Sequence, residues 1–105
     1  MSPERLSTLF SALADPARRA FLARLAQGEA SVSDLNRLVD GSLPAVSRHV
    51  RVLSEAGLVE REKRARTTWC RLVPSALDEA ESWLAATQQV WSHRLDRLEA
   101  LLEEE

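Results

Sequence analysis

The chain has 105 residues, of which 45% are apolar and 29% charged. That is enough for one compact unit, which at this size buries about two-thirds of its unfolded surface and gains from a partner subunit. Three glycines and four prolines exclude a low-complexity chain, and the net charge of −2 excludes a uniformly basic nucleic-acid binder.

Ser2-Pro3 reads as a helix cap with a first-turn proline, after which Leu6, Leu9, Phe10 and Leu13 fall on one helical stripe that ends near Ala14. Asp15-Pro16 repeats the start signal, and Ala17, Ala20, Phe21 and Leu25 form the apolar face of a second helix closed by Gly28. Ser31 with Asp34 makes a capping box for a third helix, whose short face is Leu35, Leu38 and Val39. Only Gly41 and Ser42 then separate it from a fourth helix, with Val46, Val50 and Leu53 inward and an Ala56-Gly57 stop.

From Leu58 the period changes to two. LVEREK, a basic turn around RARTT and WCRLV predict a β-hairpin ending at Pro74. Ser75 and Asp78 then open a helix that runs to the acidic end of the chain, about 29 residues or roughly 43 Å. Leu77, Leu84, Trp91 and Leu98 recur every seven residues, while Trp83, Val90, Leu95 and Leu102 widen the stripe beyond a simple coiled-coil seam. Such a helix is too long for this core alone, and dimerisation accounts for the excess.

Charge is unevenly placed. Residues 1–41 carry five arginines and five acids; residues 42–73 carry seven Arg or Lys against three acids, net +4; residues 74–105 carry two against eight, net −6. The expected architecture is mainly α with a small β-hairpin: helices over 1–57, a two-stranded wing over 58–73 and a dimerisation helix over 74–105. Four helices followed by a basic hairpin is the order of a winged helix-turn-helix, and double-stranded DNA is the expected partner. On the fourth helix, the face opposite the apolar stripe offers Ser42, Leu43, Ala45, Ser47, Arg48, His49 and Arg51. Arg48 is the base-reading candidate, because a guanidinium fork can bond guanine O6 and N7 together, and the serine hydroxyls suit phosphates. In the wing, Arg61, Lys63, Arg64 and Arg66 suit the DNA backbone or a narrow minor groove, with Glu60 and Glu62 diluting the patch.

The stretches LFSALADPARRAFLARL, SVSDLNRLV, SLPAVSRHVRVLSEAGLV and WCRLVP together resemble the ArsR-type winged-helix repressors, over nearly the whole chain. The resemblance implies a homodimeric repressor released from its operator by a signal. It also implies an interface built from the first and last helices, here Leu6, Leu9, Phe10, Leu84, Trp91, Leu95 and Leu98. Many members of that family bind soft metal ions through a third-helix ELCVCDL motif. This chain has EASVSDL, with Ser31 and Ser33 in the cysteine places, and on its last helix only His93 of the second family site, so neither metal nor cofactor is expected. Ala65 stands where relatives often have a wing-tip glycine and Cys70 where they usually have an aromatic residue. Cys70 reads as a small buried strand residue, with oxidant sensing open if it were exposed near the wing arginines. Trp83 and Trp91 read as interface packing, with a small-molecule effector of unknown identity left open.

Two histidines and one cysteine far apart, with no glycine-rich phosphate loop, argue against an enzyme. No run of about 18 apolar residues occurs, and MSPERLSTLF has no basic start followed by an apolar core, so a cytoplasmic protein without a membrane segment is expected. The rival reading is a winged-helix interaction or dimerisation module that does not bind DNA.

Overall fold

The computed structural model describes residues 2–103. The ends of the expected 1–105 unit, and the last two residues of its long helix, lie outside the described residues. The elements in chain order are α1 (Pro3–Leu13), α2 (Pro16–Leu25), β1 (Ala30–Ser31), α3 (Val32–Asn36), α4 (Leu43–Glu55), β2 (Val59–Arg64), β3 (Thr67–Leu72) and α5 (Pro74–Glu103).

The helix starts are chemically marked. Ser2 Oγ accepts the Arg5 N–H at 3.1 Å, and the Asp15 carboxylate accepts those of Ala17 and Arg18 at 2.8 and 3.3 Å. Burial disfavours ionisation of Asp15, but these two N–H groups, with His49 and Arg18 close by, outweigh it and hold the carboxyl below its usual range. Around α3 the box is reciprocal: Ser31 Oγ accepts the Asp34 N–H at 3.0 Å and Asp34 accepts the Ser31 N–H at 3.1 Å. The α4 helix ends in a Schellman turn, with Gly57 at φ 77° and the Leu58 N–H reaching back to the Leu53 carbonyl at 3.0 Å. Leu53 and Leu58 are both fully buried, which seals that turn.

Two expectations for this region are corrected. The third helix stops at Asn36, because the N–H groups of Arg37 and Leu38 bond three residues back, to Asp34 and Leu35, and tighten the chain. Leu38 swings off the Leu35 face into solvent, and six residues, not two, precede α4. On α2, Leu22 is buried and Ala20 exposed, so the apolar face is rotated from the expected one.

The sheet has three antiparallel strands in the order β1-β3-β2, not the two expected. Ala30 pairs with Cys70 and Ser31 with Trp69. A two-residue strand shows no period, and its serine already serves as a helix cap. Cys70 is thereby central in the sheet, buried, and flanked by Ala30 and Arg61. Burial pushes its thiol up, against a smaller opposing pull from Arg61, so the exposed, activated cysteine required for oxidant sensing is absent.

Phe21, Leu9, Leu35, Leu53, Leu58, Val46 and Val50 form the centre of the core. Burying each contributes about 1.5–3 kcal/mol. Leu9 is 0% exposed within its own protomer and so cannot face a partner, which corrects its expected place at an interface. The reason is its position, one turn before Leu13 and Ala12, on the side of α1 that meets the core rather than the side carrying Leu6 and Phe10.

The α5 helix is the longest element, at 30 residues. Among its described residues only Ala76 and Ala80 are buried. It stretches the molecule to 70 × 27 × 24 Å and the radius of gyration to 18.6 Å, against roughly 13 Å for a compact chain of this length.

Candidate nucleic-acid interface

Helical geometry divides α4 into three sides. Val46, Val50 and Leu53 lie in the core; Ser42, Leu43, Ser47, Arg48 and Arg51 are exposed, as is Pro44, which the sequence reading did not include. Ala45 and His49 are half-buried on the third side. At 100° per residue His49 lies 60° from Val46, toward α2 and away from Arg48 and Arg51. Its ring meets Phe21 edge to face at 6.2 Å, and its Nδ1 lies 3.3 Å from the Arg18 guanidinium.

Arg18 and Arg5, which sequence reasoning passed over, hold this helix in place. Arg18 donates to the carbonyls of Ala12 at 2.7 Å and Ser11 at 2.9 Å, while Arg19 takes that of Leu13 at 2.8 Å. The Ala12 and Leu13 carbonyls belong to the last turn of α1, which leaves them without helical partners, while that of Ser11 also accepts the Ala14 N–H at 3.2 Å. Arg18 therefore joins α1, α2 and α4 at one point. Arg5 bonds the Ala56 carbonyl at the end of α4 and pairs with Glu79 of α5 at 3.4 Å. For Arg18 the available signal was the pair Arg18-Arg19 in the first turn after the Asp15-Pro16 helix start, within reach of the preceding helix end.

Residues directly opposite one another in a ladder share a face. In the wing this puts Glu60, Glu62 and Arg64 on one face with Arg71, Trp69 and Thr67, and Val59, Arg61 and Lys63 on the other with Leu72, Cys70 and Thr68. The first face is neutralised internally. Glu60 pairs with Arg71 at 2.8 Å; Arg64 pairs with Glu62 at 3.0 Å and with both carboxylate oxygens of Glu29 at 2.8 and 3.0 Å, and lies 5.5 Å from the Trp69 ring centre. The bond from Arg64 holds the Glu29 carboxyl below its usual range despite some burial, and the two carboxylates raise the basicity of Arg64. Arg64 thus fastens the wing to the segment before β1.

The second face continues from buried Val59 and Cys70, which turn it toward the helices, out to Arg61 and Lys63. Among the described residues, Arg61, Lys63 and Arg66 have no acidic partner within 4 Å, and neither do Arg48 and Arg51. The acids that seemed to dilute the patch are on the other face. Arg64 and Thr67 are the last pair, so the tip is the two-residue loop Ala65-Arg66, with Ala65 in the left-handed region at φ 56°. Beneath the tip an open cleft of about 190 Å³ is lined by Ser33, Leu43, Ser47, Arg66 and Thr68.

The stripe that buries Ala76 and Ala80 continues along α5, where it is open to solvent among the described residues. Trp91 is 58% and Leu95 60% exposed, and Leu84 and Leu98 are similarly open. Leu6 and Phe10 of α1 are half-buried beside it, with Phe10 meeting Trp83 edge to face at 5.6 Å. Among the described residues no helix is long and apolar enough to cross a membrane, and no group of three or more His, Cys, Asp or Glu converges.

A helix-turn-helix domain model matches residues 13–62, from the end of α1 into β2. The arsenical resistance operon repressor of Escherichia coli (strain K12) is 31% identical over 96 residues, which are 90% of this chain and 79% of that protein. A crystal structure of an ArsR family transcriptional regulator is 38% identical and superposes with a TM-score of 0.84, over 88% of this chain and 95% of that one. The chain belongs to the ArsR family. A further structural relative of this ArsR-family chain, from Mycobacterium bovis, is described as a homodimeric winged helix-turn-helix DNA-binding domain; it is 26% identical, with a TM-score of 0.63 over 90% of this chain and 84% of its own. Two other curated relatives are matched over 57% and 51% of their own lengths, so the chain spans about half of each.

Proposed function

We propose that this ArsR-family chain is a homodimeric, sequence-specific DNA-binding repressor, with two α4 helices entering successive major grooves of an inverted repeat about 34 Å apart. The observation that carries the reading is the sorting of charge. Every wing acid is paired on the outer face, leaving Arg61, Lys63 and Arg66 without acidic partners among the described residues, and Arg66 lines one cleft with Leu43 and Ser47 of the helix that also exposes Arg48 and Arg51. Arg48 reads a guanine edge and the wing cations hold phosphates, while Arg64 acts as the wing's anchor. Ala45 and His49 support α4 from behind.

Residues 1–105 work as one winged-helix unit in the cytoplasm. Its apolar α5 stripe, with Leu6 and Phe10, meets the same surface of a second copy, and the homodimeric M. bovis relative supports that pairing. Ser31 uses its hydroxyl as a helix cap, and neither it nor Ser33 is a thiolate, so this site does not answer to soft metal ions.

The test is selection of bound fragments from the source genome, followed by affinity measurement across salt concentrations. Binding should weaken steeply with salt. Arg48→Ala should cost about 1–3 kcal/mol and relax base preference, and Arg66→Ala should weaken all sequences evenly. Equal, salt-independent binding by the parent and both variants sinks the proposal.

A further inference from the structure

Leu43 is chemically out of place. It is the first residue of α4 and 47% exposed, yet the cleft it lines is otherwise lined largely by polar residues, Ser33, Ser47, Arg66, Thr67 and Thr68. It does not belong to the core cluster or to the half-buried residues packed on it. Val32 is the one other apolar residue among those lining this open cleft of about 190 Å³, and Pro44, next to Leu43 in sequence, is exposed as well. An isolated exposed leucine on a protein surface is unremarkable. Here, however, the leucine heads the helix proposed to lie in the major groove, one turn before Ser47 on the same stripe of a helix that also exposes Arg48 and Arg51. It would meet base edges rather than water.

The base edges in that groove present hydrogen-bonding atoms with one exception, the C5 methyl group of thymine. A leucine cannot satisfy a donor or an acceptor; set against a polar base edge it would strip water from that edge and return nothing. Set against the methyl group, it removes two apolar surfaces from water together. We infer that Leu43 is a specificity-determining residue that reads one thymine methyl group in each half-site, on the wing side of the position read by Arg48. This rests on the DNA-binding reading and adds a base identity to it.

The experiment uses the full chain and duplexes that it enriches from a random library. Each thymine of an enriched duplex is replaced in turn by uracil, which differs only in lacking the methyl group. One thymine per half-site, at symmetry-related positions, should be sensitive: its replacement should weaken binding about fourfold, the value of one buried methyl group, and about fifteenfold when both half-sites are changed. Leu43→Ser should bind the thymine and uracil duplexes equally. The inference is overturned if no thymine is sensitive in the parent, or if the sensitivity persists undiminished in Leu43→Ser, and in both cases duplex enrichment itself still stands. A library that yields no enriched duplex at all overturns the DNA-binding reading, and this inference with it.

Discussion

On the outer face of the wing, Glu60, Glu62 and Glu29 take up Arg71 and Arg64, whereas on the face turned to the helices Arg61 and Lys63 have only Cys70 and Thr68 opposite them. Both faces come from the same two strands, yet the outer one carries both glutamates and the inner one none. The difference lies in a period of two, which sends alternate residues to opposite sides, and in Glu29, which reaches the outer face from another part of the chain. The contrast recurs among the arginines of the described residues: Arg5, Arg18 and Arg64 are spent on carbonyls and carboxylates that shape the fold, while Arg48, Arg51 and Arg66 make no ion pair there. Net charge over a segment is therefore a poor guide to a binding face, and the charge that is not already paired is a better one.

The largest expected effect lies on the structural side. Arg18→Ala should destabilise the protein by about 2–3 kcal/mol, because it leaves the Ser11 and Ala12 carbonyls without their charged donor and frees His49. Urea unfolding at fixed protein concentration measures this. A loss under about 0.5 kcal/mol, as at an ordinary surface site, would place Arg18 with the free arginines and break the division.

Next comes the wing itself. Replacing Arg61 and Lys63 together by alanine should change stability by less than about 0.5 kcal/mol. The same change should flatten the slope of log affinity against log salt by about 0.9 for each lost phosphate contact. Arg64→Ala should do the reverse, lowering stability while leaving the salt slope nearly unchanged. If Arg64→Ala flattens the slope as the double variant does, the two faces are not functionally distinct.

Acid should then act on one face only. The Glu29 carboxyl is held below its usual range by Arg64, so its contribution is complete above the unfolded value of about 4.3 and is lost as pH falls through the lower folded value. Trp69, over which Arg64 lies, reports the release. In a protein with Trp83 and Trp91 replaced by phenylalanine, its fluorescence should change below about pH 4, and Glu29→Gln should remove that transition. A transition that persists in Glu29→Gln would assign the wing's attachment to another group.

Much of this fold was legible because its signals are local. Ser2, Asp15, Ser31 and Ser42 mark helix starts with oxygens that accept N–H groups two or three residues on, and Gly57 marks a stop that requires a left-handed residue. What escaped was set by neighbours distant in sequence. The β1 strand exists because β3 passes beside Ala30 and Ser31; Leu9 is buried by elements that follow it; His49 is claimed by Arg18, thirty-one residues away. The candidate site followed the same rule. The exposed positions of α4 came from its period, while the contacts of Arg64 with Glu29 and of His49 with Arg18 are tertiary ones that no local pattern records.

The smallest expected effect tests whether the turn or the strands set the wing's shape. Ala65 holds φ at 56°, a conformation that costs a residue with a Cβ about 1 kcal/mol and glycine essentially nothing. Glycine in turn loses more backbone freedom on folding, which returns about 0.5 kcal/mol or more of that gain. Ala65→Gly should therefore stabilise the protein by no more than about 0.5 kcal/mol in urea unfolding. It should leave DNA affinity unaltered, because the paired strands and the Arg64–Glu29 anchor already fix where Arg66 and the inner-face cations lie. A large change in affinity at constant stability would mean that the alanine turn itself aims the wing, and that the anchor on the outer face does not.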